Sequence, residues 1–472
     1  MYHKKRHIHF VGIGGIGMCG IAEVLLNLGH EVSGSDLKAS DITHRLADLG
    51  AKVMIGHSGQ NVHGAEVVVV SSAVPDDNPE VLVSRRDFIP VIPRAEMLAE
   101  LMRLKYAVAV AGSHGKTTTT SLVGTMLTWA SLDPTLVIGG KLNYLGVGAR
   151  LGQGELMVAE ADESDGSFLL LTPTVALVTN IDLEHLNYYR DLEHLKESFL
   201  AFINKVPFYG FTVLCLDDPN VQSLLPDVKK RYLTYGLSAQ AEISAKNIQC
   251  EGWGYSFDLN RGGQNLGRVT TNIPGRHNVL NSLAAAAVGL EMGLTAENVI
   301  NGLAELKGVS RRLEKKGEIR GVMVLDDYGH HPTEIEVTLA TLTECFPGRR
   351  RVVVFQPHRY SRTQSLFNLF IPAFNQSDQL IIIDIYSAGE APLEGVTARS
   401  LAEAVRSHGH RDVVYHSELA SLGKILADNL SFGDVLLTLG AGNIHILADE
   451  ILRLLSQEVQ ADGNDGGKRG GI

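Results

Sequence analysis

Two glycines, a lysine and a run of hydroxyls stand together at Gly112-Ser113-His114-Gly115-Lys116-Thr117-Thr118. A lysine at this spacing reaches β- and γ-phosphates, and the next threonine hydroxyl ligates Mg²⁺. Glycines let several backbone N–H groups converge on one anion, where a following helix dipole also favours negative charge. The strict P-loop pattern asks for another glycine five residues before Gly115, and Val110 stands there. The bland reading is a tight strand–helix turn with an exposed lysine. An apolar run before the loop and a hydroxyl run behind it favour a nucleoside triphosphate site.

A second set of groups is acidic. Leu156-Met-Val-Ala159 runs into Glu160, Asp162, Glu163 and Asp165, and Val175-Ala-Leu-Val178 runs into Thr179-Asn-Ile-Asp-Leu-Glu-His185. Carboxylates and an imidazole can hold a divalent cation. Charge runs are more often solvated turns, and a lone histidine more often a hydrogen-bonded loop residue. Their shared place at strand ends favours metal, with Glu160 preferred because it directly ends its strand. A third set lies near the start, where Gly12, Gly14, Gly15 and Gly17 precede Met18, and Asp36 follows 19 residues after Gly17. Taken alone, this dinucleotide fingerprint predicts an NAD(P)-dependent oxidoreductase. The same turn suits any nucleotide diphosphate, a UDP-sugar included. Ser71 and Ser72 close the apolar run Glu66–Val70 at the strand end where ligands bind in such sheets. His277, Asn278 and Asn281 either cap an alanine-rich helix or face a base, and spacing leaves both open.

The elements that must position these groups alternate strand and helix, which predicts an α/β chain with parallel sheets and right-handed crossovers. At 472 residues the chain exceeds one core. Boundaries fall at 1–94, 95–307 and 308–456, with a polar, glycine-rich tail over 457–472 expected to be disordered. The third module repeats the pattern: Asp327, Tyr328, His330 and His331 after one strand, and His358, Arg359 and Arg362 after another, with Arg311 and Arg312 ahead of both. A net charge of −11, from 42 basic and 53 acidic groups, argues against general binding of nucleic acid or anionic membrane. Lys4-Lys5-Arg6 before an apolar stretch imitates a signal peptide, but packed glycines and Glu23 speak against one. No membrane span is expected. Cys19, Cys215, Cys250 and Cys345 lack metal-ligand spacing and read as reduced thiols of a cytoplasmic protein.

Taken together and in this order, the glycine turn at 12–18, Gly112–Thr118, Glu160–Asp165, Thr179-Asn-Ile with His185, His277-Asn278-x-x-Asn281, Arg312, Asp327–Pro332 and Gln356–Tyr360 resemble the Mur ligase family of peptidoglycan synthesis. The resemblance covers nearly the whole chain. It implies three domains: N-terminal Rossmann-like, central P-loop-type ATPase with a mostly parallel sheet, and C-terminal Rossmann-like. Among family members the alanine-adding ones fit best, which implies UDP-N-acetylmuramate, L-alanine and ATP as substrates, two Mg²⁺ ions, and a monomer or homodimer. A recycling member that attaches a preformed peptide to the same sugar nucleotide is the alternative. The resemblance places the UDP-sugar on Gly12, Gly14, Gly15, Gly17, Met18, Asp36, Ser71 and Ser72. It places ATP on residues 112–118, His277, Asn278, Asn281, Arg312 and Asp327. Thr117, Glu160 and His185 become metal ligands, and Tyr328, His330, His358, Arg359 and Arg362 grip the amino acid. Lys116, Glu160, His185, His330 and Arg359 carry the chemistry. Several sister ligases have a carbamoylated lysine about 15 residues past the metal histidine. Ser198–Ala201 here has none, and Lys196 lies at the wrong spacing.

Overall fold

The computed structural model describes residues 5–71, 73–138, 149–185 and 188–465. Three sheets carry the chain. In the first, five parallel strands lie in the order Lys52–Ile55, Glu31–Asp36, His7–Val11, Val67–Val70, Val91–Pro93. The order reverses beside His7–Val11, the place where doubly wound sheets open a crevice for ligands. Helix Ile16–Asn27 springs from that strand's glycine turn.

The second sheet is built on strands Tyr106–Ala111, Leu156–Glu160, Val175–Val178, Phe211–Cys215 and Tyr232–Gly236, all parallel to their neighbours. Val108, Ala109, Val110 and Ala111 are wholly inaccessible, as befits strands covered on both faces. Helix Lys116–Trp129 is buried from Thr117 to Leu127, so its hydroxyl run faces protein rather than solvent. Among the described residues, strands Ile243–Glu251, Gly254–Arg261 and Gln264–Thr271 on one side and Thr135–Val137 and Ala149–Arg150 on the other extend this sheet to ten strands.

The third sheet runs Glu314–Ile319, Val322–Asp327, Val435–Leu439, Arg351–Phe355, Gln379–Ile383, Val413–His416, parallel except at its first pair. Alternation along these strands divides two cores. Val353, Phe355, Leu380, Ile382 and Leu437 pack with Leu339 and Leu342 of helix Pro332–Cys345 and Leu401 and Val405 of helix Ala398–Ser407. Val352, Val354, Ile381, Ile383 and Leu436 pack on the other face with Leu422 and Leu426 of helix Leu419–Asn429 and with Leu447 and Ile451. Period-two side-chain direction produces this split, and each fully buried aliphatic residue stabilises by about 1.5–3 kcal/mol.

Two expectations change. The helix His445–Asp465 continues past Gln457, where a disordered tail was expected to begin. Between Leu455 and Gly463 there is no glycine or proline to stop it, and Gln, Glu and Ala are good helix formers. Residues 466–472 lie outside the described ones. Cys250 and Cys345, expected as free thiols, form a disulfide across 95 residues of sequence, while Cys19 and Cys215 are free. By contact density the chain divides after Lys307, with 250–255 and 273–276 grouped with the C-terminal part. Among the described residues no helix is long and apolar enough to cross a membrane.

Candidate active site

Strand Tyr106–Ala111 ends in Gly112 at φ +131°, and Gly115 at φ +82° caps helix Lys116–Trp129. Both angles lie where a side chain is strained. A Cβ on Gly112 would stand 2.0 Å from Thr179 Oγ1, and one on Gly115 would stand 2.8 Å from Asn281 Oδ1. The loop is bolted to the exit of the neighbouring strand Val175–Val178. Ser113 N–H donates to Asn180 O (3.0 Å) and His114 N–H to Asn180 Oδ1 (2.8 Å). Thr179 Oγ1 and Asn180 Nδ2 both donate to His114 O, at 2.6 and 3.0 Å. His114 Nε2 lies 3.0 Å from Asp182 Oδ2. The turn is therefore fixed against the exit of its neighbouring strand.

Lys116 Nζ donates to Gly112 O (2.6 Å), Ser113 O (3.1 Å) and Glu163 Oε1 (2.9 Å), and lies 2.8 Å from Glu163 Oε2. Burial opposes its charge, but Glu163, Asp162 and Glu184 outweigh burial and hold the ammonium above the usual lysine range. Glu163 is 1% exposed. His185 Nε2 sits 3.3 Å from Glu163 Oε1 and 3.7 Å from Glu184 Oε2, and its backbone is left-handed at φ +56°. Glu163, Glu184 and His185 each bring one ligand atom within 4.8 Å of the others, a hard-donor set suited to a divalent cation. Glu160, the sequence's preferred carboxylate, ends strand Leu156–Glu160. The sequence offers Glu163 within its acidic cluster and Glu184 within the run to His185, but singles out neither as a ligand. Glu184 is adjacent to His185, and that adjacency was the available signal.

Thr117 and Thr118 occupy the helix's first turn, 8% and 6% exposed. Asn281, which lies against the glycine loop at Gly115, donates from Nδ2 to Asn278 Oδ1 (2.9 Å) in the first turns of helix Arg276–Glu291. His277 lies in the same first turn.

At the N-terminal glycine turn, Gly12 N–H is spent on Ser35 O (2.8 Å), and Gly14 N–H donates to Asp36 Oδ2 (2.9 Å). Gly15 caps helix Ile16–Asn27, and a Cβ on Gly17 would meet the Arg94 side chain at 3.1 Å. Arg94, which the sequence did not single out, thereby places a cation beside the turn. Met18 is 2% exposed and belongs to the hydrophobic core. Ser71 follows strand Val67–Val70 and accepts from Val74 N–H. Ser72 lies outside the described residues.

In the C-terminal unit, two guanidinium groups approach the Tyr328 ring, with Arg311 and Arg312 Cζ 4.9 and 5.1 Å from its centroid. Asp327 accepts from Leu313 N–H (2.6 Å) and Gly329 N–H (2.7 Å). Burial pushes its carboxyl up to about 6, against the pull of Arg312. The adjacent histidines separate. His331 caps helix Pro332–Cys345 in a box with Glu334, whereas the His330 ring sits 5.6 Å from Tyr328 and 5.9 Å from His358. His358 stacks on Tyr386 at 5.6 Å, with Arg362 Nη1 3.2 Å from its Nδ1. Burial, then His330, Arg362 and Arg359, hold its imidazole down at about 3, so it is neutral. Arg359, at φ +72°, turns to Glu390 (3.3 Å). Tyr386 and Glu390 were invisible in sequence because they come from a separate segment.

Three family models match the chain in order: Mur ligase family, catalytic domain over residues 7–106; Mur ligase middle domain over 110–289; and Mur ligase, glutamate ligase domain over 311–442. A UDP-N-acetylmuramate–L-alanine ligase of Geobacter sp. strain M21 is 58% identical over 452 residues, 96% of this chain and 98% of that protein. One from Geobacter sulfurreducens is 56% identical over 462 residues, covering 98% of this chain and all of its own. The crystal structure of a UDP-N-acetylmuramate-alanine ligase from Thermotoga maritima superposes with a TM-score of 0.81 at 27% identity, covering 96% of this chain and 100% of that one. A murein peptide ligase from Psychrobacter arcticus shares the fold, with a TM-score of 0.69 at 22% identity over 95% of this chain and 98% of its own. A clamped glycine loop carrying Lys116, a carboxylate–histidine group at neighbouring strand ends and three consecutive domain matches agree, and the chain belongs to the Mur ligase family.

Proposed function

We propose that this protein joins L-alanine to the lactoyl carboxylate of UDP-N-acetylmuramate at the expense of ATP, in the cytoplasm of a bacterium building peptidoglycan. The observation that carries the reading is the Lys116 ammonium on a glycine loop, 2.8 Å from a carboxylate that groups with His185. Relatives named for this reaction are 56–58% identical to the chain nearly end to end.

The carboxylate oxygen takes the γ-phosphoryl group and ADP leaves. The neutral alanine amine then attacks the acyl carbon, the C–O bond to phosphate breaks with its electron pair so that inorganic phosphate departs, and the surplus proton on nitrogen passes to solvent as the amide forms. Two anions meet in the first step, so charge neutralisation dominates. Lys116 and the N–H groups at the helix start, residues 115–118, would hold the phosphates. Thr117, Glu160 and His185, joined by Glu163 and Glu184, would hold two Mg²⁺ ions, which supply Lewis-acid neutralisation of the oxygens around the transferred group. His277, Asn278 and Asn281 would contact the adenine, and Arg312 and Asp327 the rest of ATP. The turn Gly12–Met18, with Asp36, Ser71 and Ser72, would receive the UDP-sugar. Tyr328, His330, His358, Arg359 and Arg362 would grip the amino acid, since guanidinium forks suit carboxylates.

The deciding assay is phosphate release with UDP-N-acetylmuramate, ATP and Mg²⁺, supplying each amino acid and a murein tripeptide in turn. L-alanine is expected to drive release. Preference for the tripeptide would make the protein a recycling ligase. Lys116→Ala is expected to keep its circular dichroism and lose turnover by at least about 10³-fold.

A further inference from the structure

Lys116 does not reach outward over the glycine loop. Its three protons are all engaged, by Gly112 O, Ser113 O and Glu163 Oε1. The carboxylate it meets is 1% exposed, has both oxygens within 2.9 Å of the ammonium, and belongs to the one group of the site that gathers around His185. Glu163 is fixed from behind as well, because the buried Tyr189 hydroxyl donates to its carbonyl at 2.6 Å. One carboxylate thus stands between two claimants, a lysine already there and a divalent cation.

We propose that Lys116 is the resident counter-ion of the nucleotide-free site, and that phosphate arrival draws it off Glu163 and so opens Glu163 to the metal. This rests on the reading of the site as one for ATP and Mg²⁺. A buried carboxylate stripped of its partner is strongly disfavoured, so an empty site without the lysine would hold an uncompensated charge. Two cations on one carboxylate repel, so the metal enters poorly while Lys116 remains. Nucleotide phosphate supplies the lysine with a replacement anion and removes the obstacle. Nucleotide and metal therefore bind with positive coupling, and the coupling is reciprocal. Glu163 is in this account a positioning residue for Lys116 and a ligand afterwards, which gives its substitution opposite effects on two ligands.

The test measures binding with the full chain. Free Mn²⁺ is followed by electron paramagnetic resonance, and ADP binding in excess EDTA by calorimetry. Lys116→Met is expected to tighten nucleotide-free Mn²⁺ binding about tenfold or more. Glu163→Gln is expected to weaken Mn²⁺ binding and, in EDTA, to tighten ADP binding about tenfold, because the lysine is released to the phosphates. Unchanged or weaker Mn²⁺ binding in Lys116→Met, or weaker ADP binding in Glu163→Gln, overturns the exchange. Each variant reads separately, so misfolding of one leaves the other decisive. If the wild type binds neither ADP nor Mn²⁺, the ATP-site reading itself fails; if it binds both and the variants do not shift as stated, only the exchange fails.

Discussion

Gly112 has no room for a side chain. Its φ of +131° and the 2.0 Å approach of Thr179 Oγ1 to a Cβ position leave alanine two faults at once. The same hydroxyl donates to His114 O, so a shift of Thr179 also loosens the loop. Gly112→Ala is expected to cost about 2–4 kcal/mol, read from urea unfolding, and to weaken ADP binding at least tenfold. His358 makes a prediction about pH. Its imidazole is held at about 3 in the folded protein, below the ordinary 6.5, so the unfolded chain takes up a proton the native state refuses. This contribution leaves stability intact above about pH 6.5 and erodes it as pH falls toward 3, by up to about 1.4 kcal/mol per pH unit. Urea midpoints at pH 7, 6 and 5 should show a shallower acid decline in His358→Gln than in wild type. The glycine at 112 and the histidine at 358 were both legible in sequence. Their reasons were not, since Thr179, His330 and Tyr386 are distant in the chain.

At the scale of elements, several strands were legible because their residues are apolar nearly throughout: Val175–Val178 and Leu156–Glu160 fall where the pattern places them. Ends were less legible. Helix Ile16–Asn27 begins inside the glycine run itself, because Gly15 is extended and serves as its cap. The disulfide between strand Ile243–Glu251 and the last residue of helix Pro332–Cys345 could not be read from spacing, as 95 residues separate its ends. Closing a loop of that length removes denatured-state entropy, and native bonds of this kind stabilise by about 2–4 kcal/mol. Under non-reducing conditions Cys345→Ser is expected to lose about that much in calorimetric unfolding. With dithiothreitol present, wild type and variant should converge, because the oxidised form alone carries the constraint.

At the scale of the whole molecule, the glycine turn at 12–17 and the phosphate loop belong to different sheets. Chelating divalent cations is therefore expected to abolish phosphate release yet leave UDP-N-acetylmuramate affinity within about twofold, as measured by calorimetry. A large loss of sugar-nucleotide affinity in EDTA would show that the two modules share a metal.

The sequence alone determined the α/β class, the three-module order and the glycine turn between strand and helix at 112–116, because these depend on local signals: apolar runs, glycine turns and a lysine at fixed spacing. Tertiary structure decided which carboxylates face that lysine. Glu160, Asp162, Glu163 and Asp165 look alike along the chain. Only the packing of Leu156–Glu160 beside Tyr106–Ala111, together with Tyr189's grip on Glu163, selects the one that meets both Lys116 and His185. It also separated His330 from His331, since one hydrogen bond at a helix start assigns the second to capping. Long-range contact carries that information, and it has no counterpart in spacing.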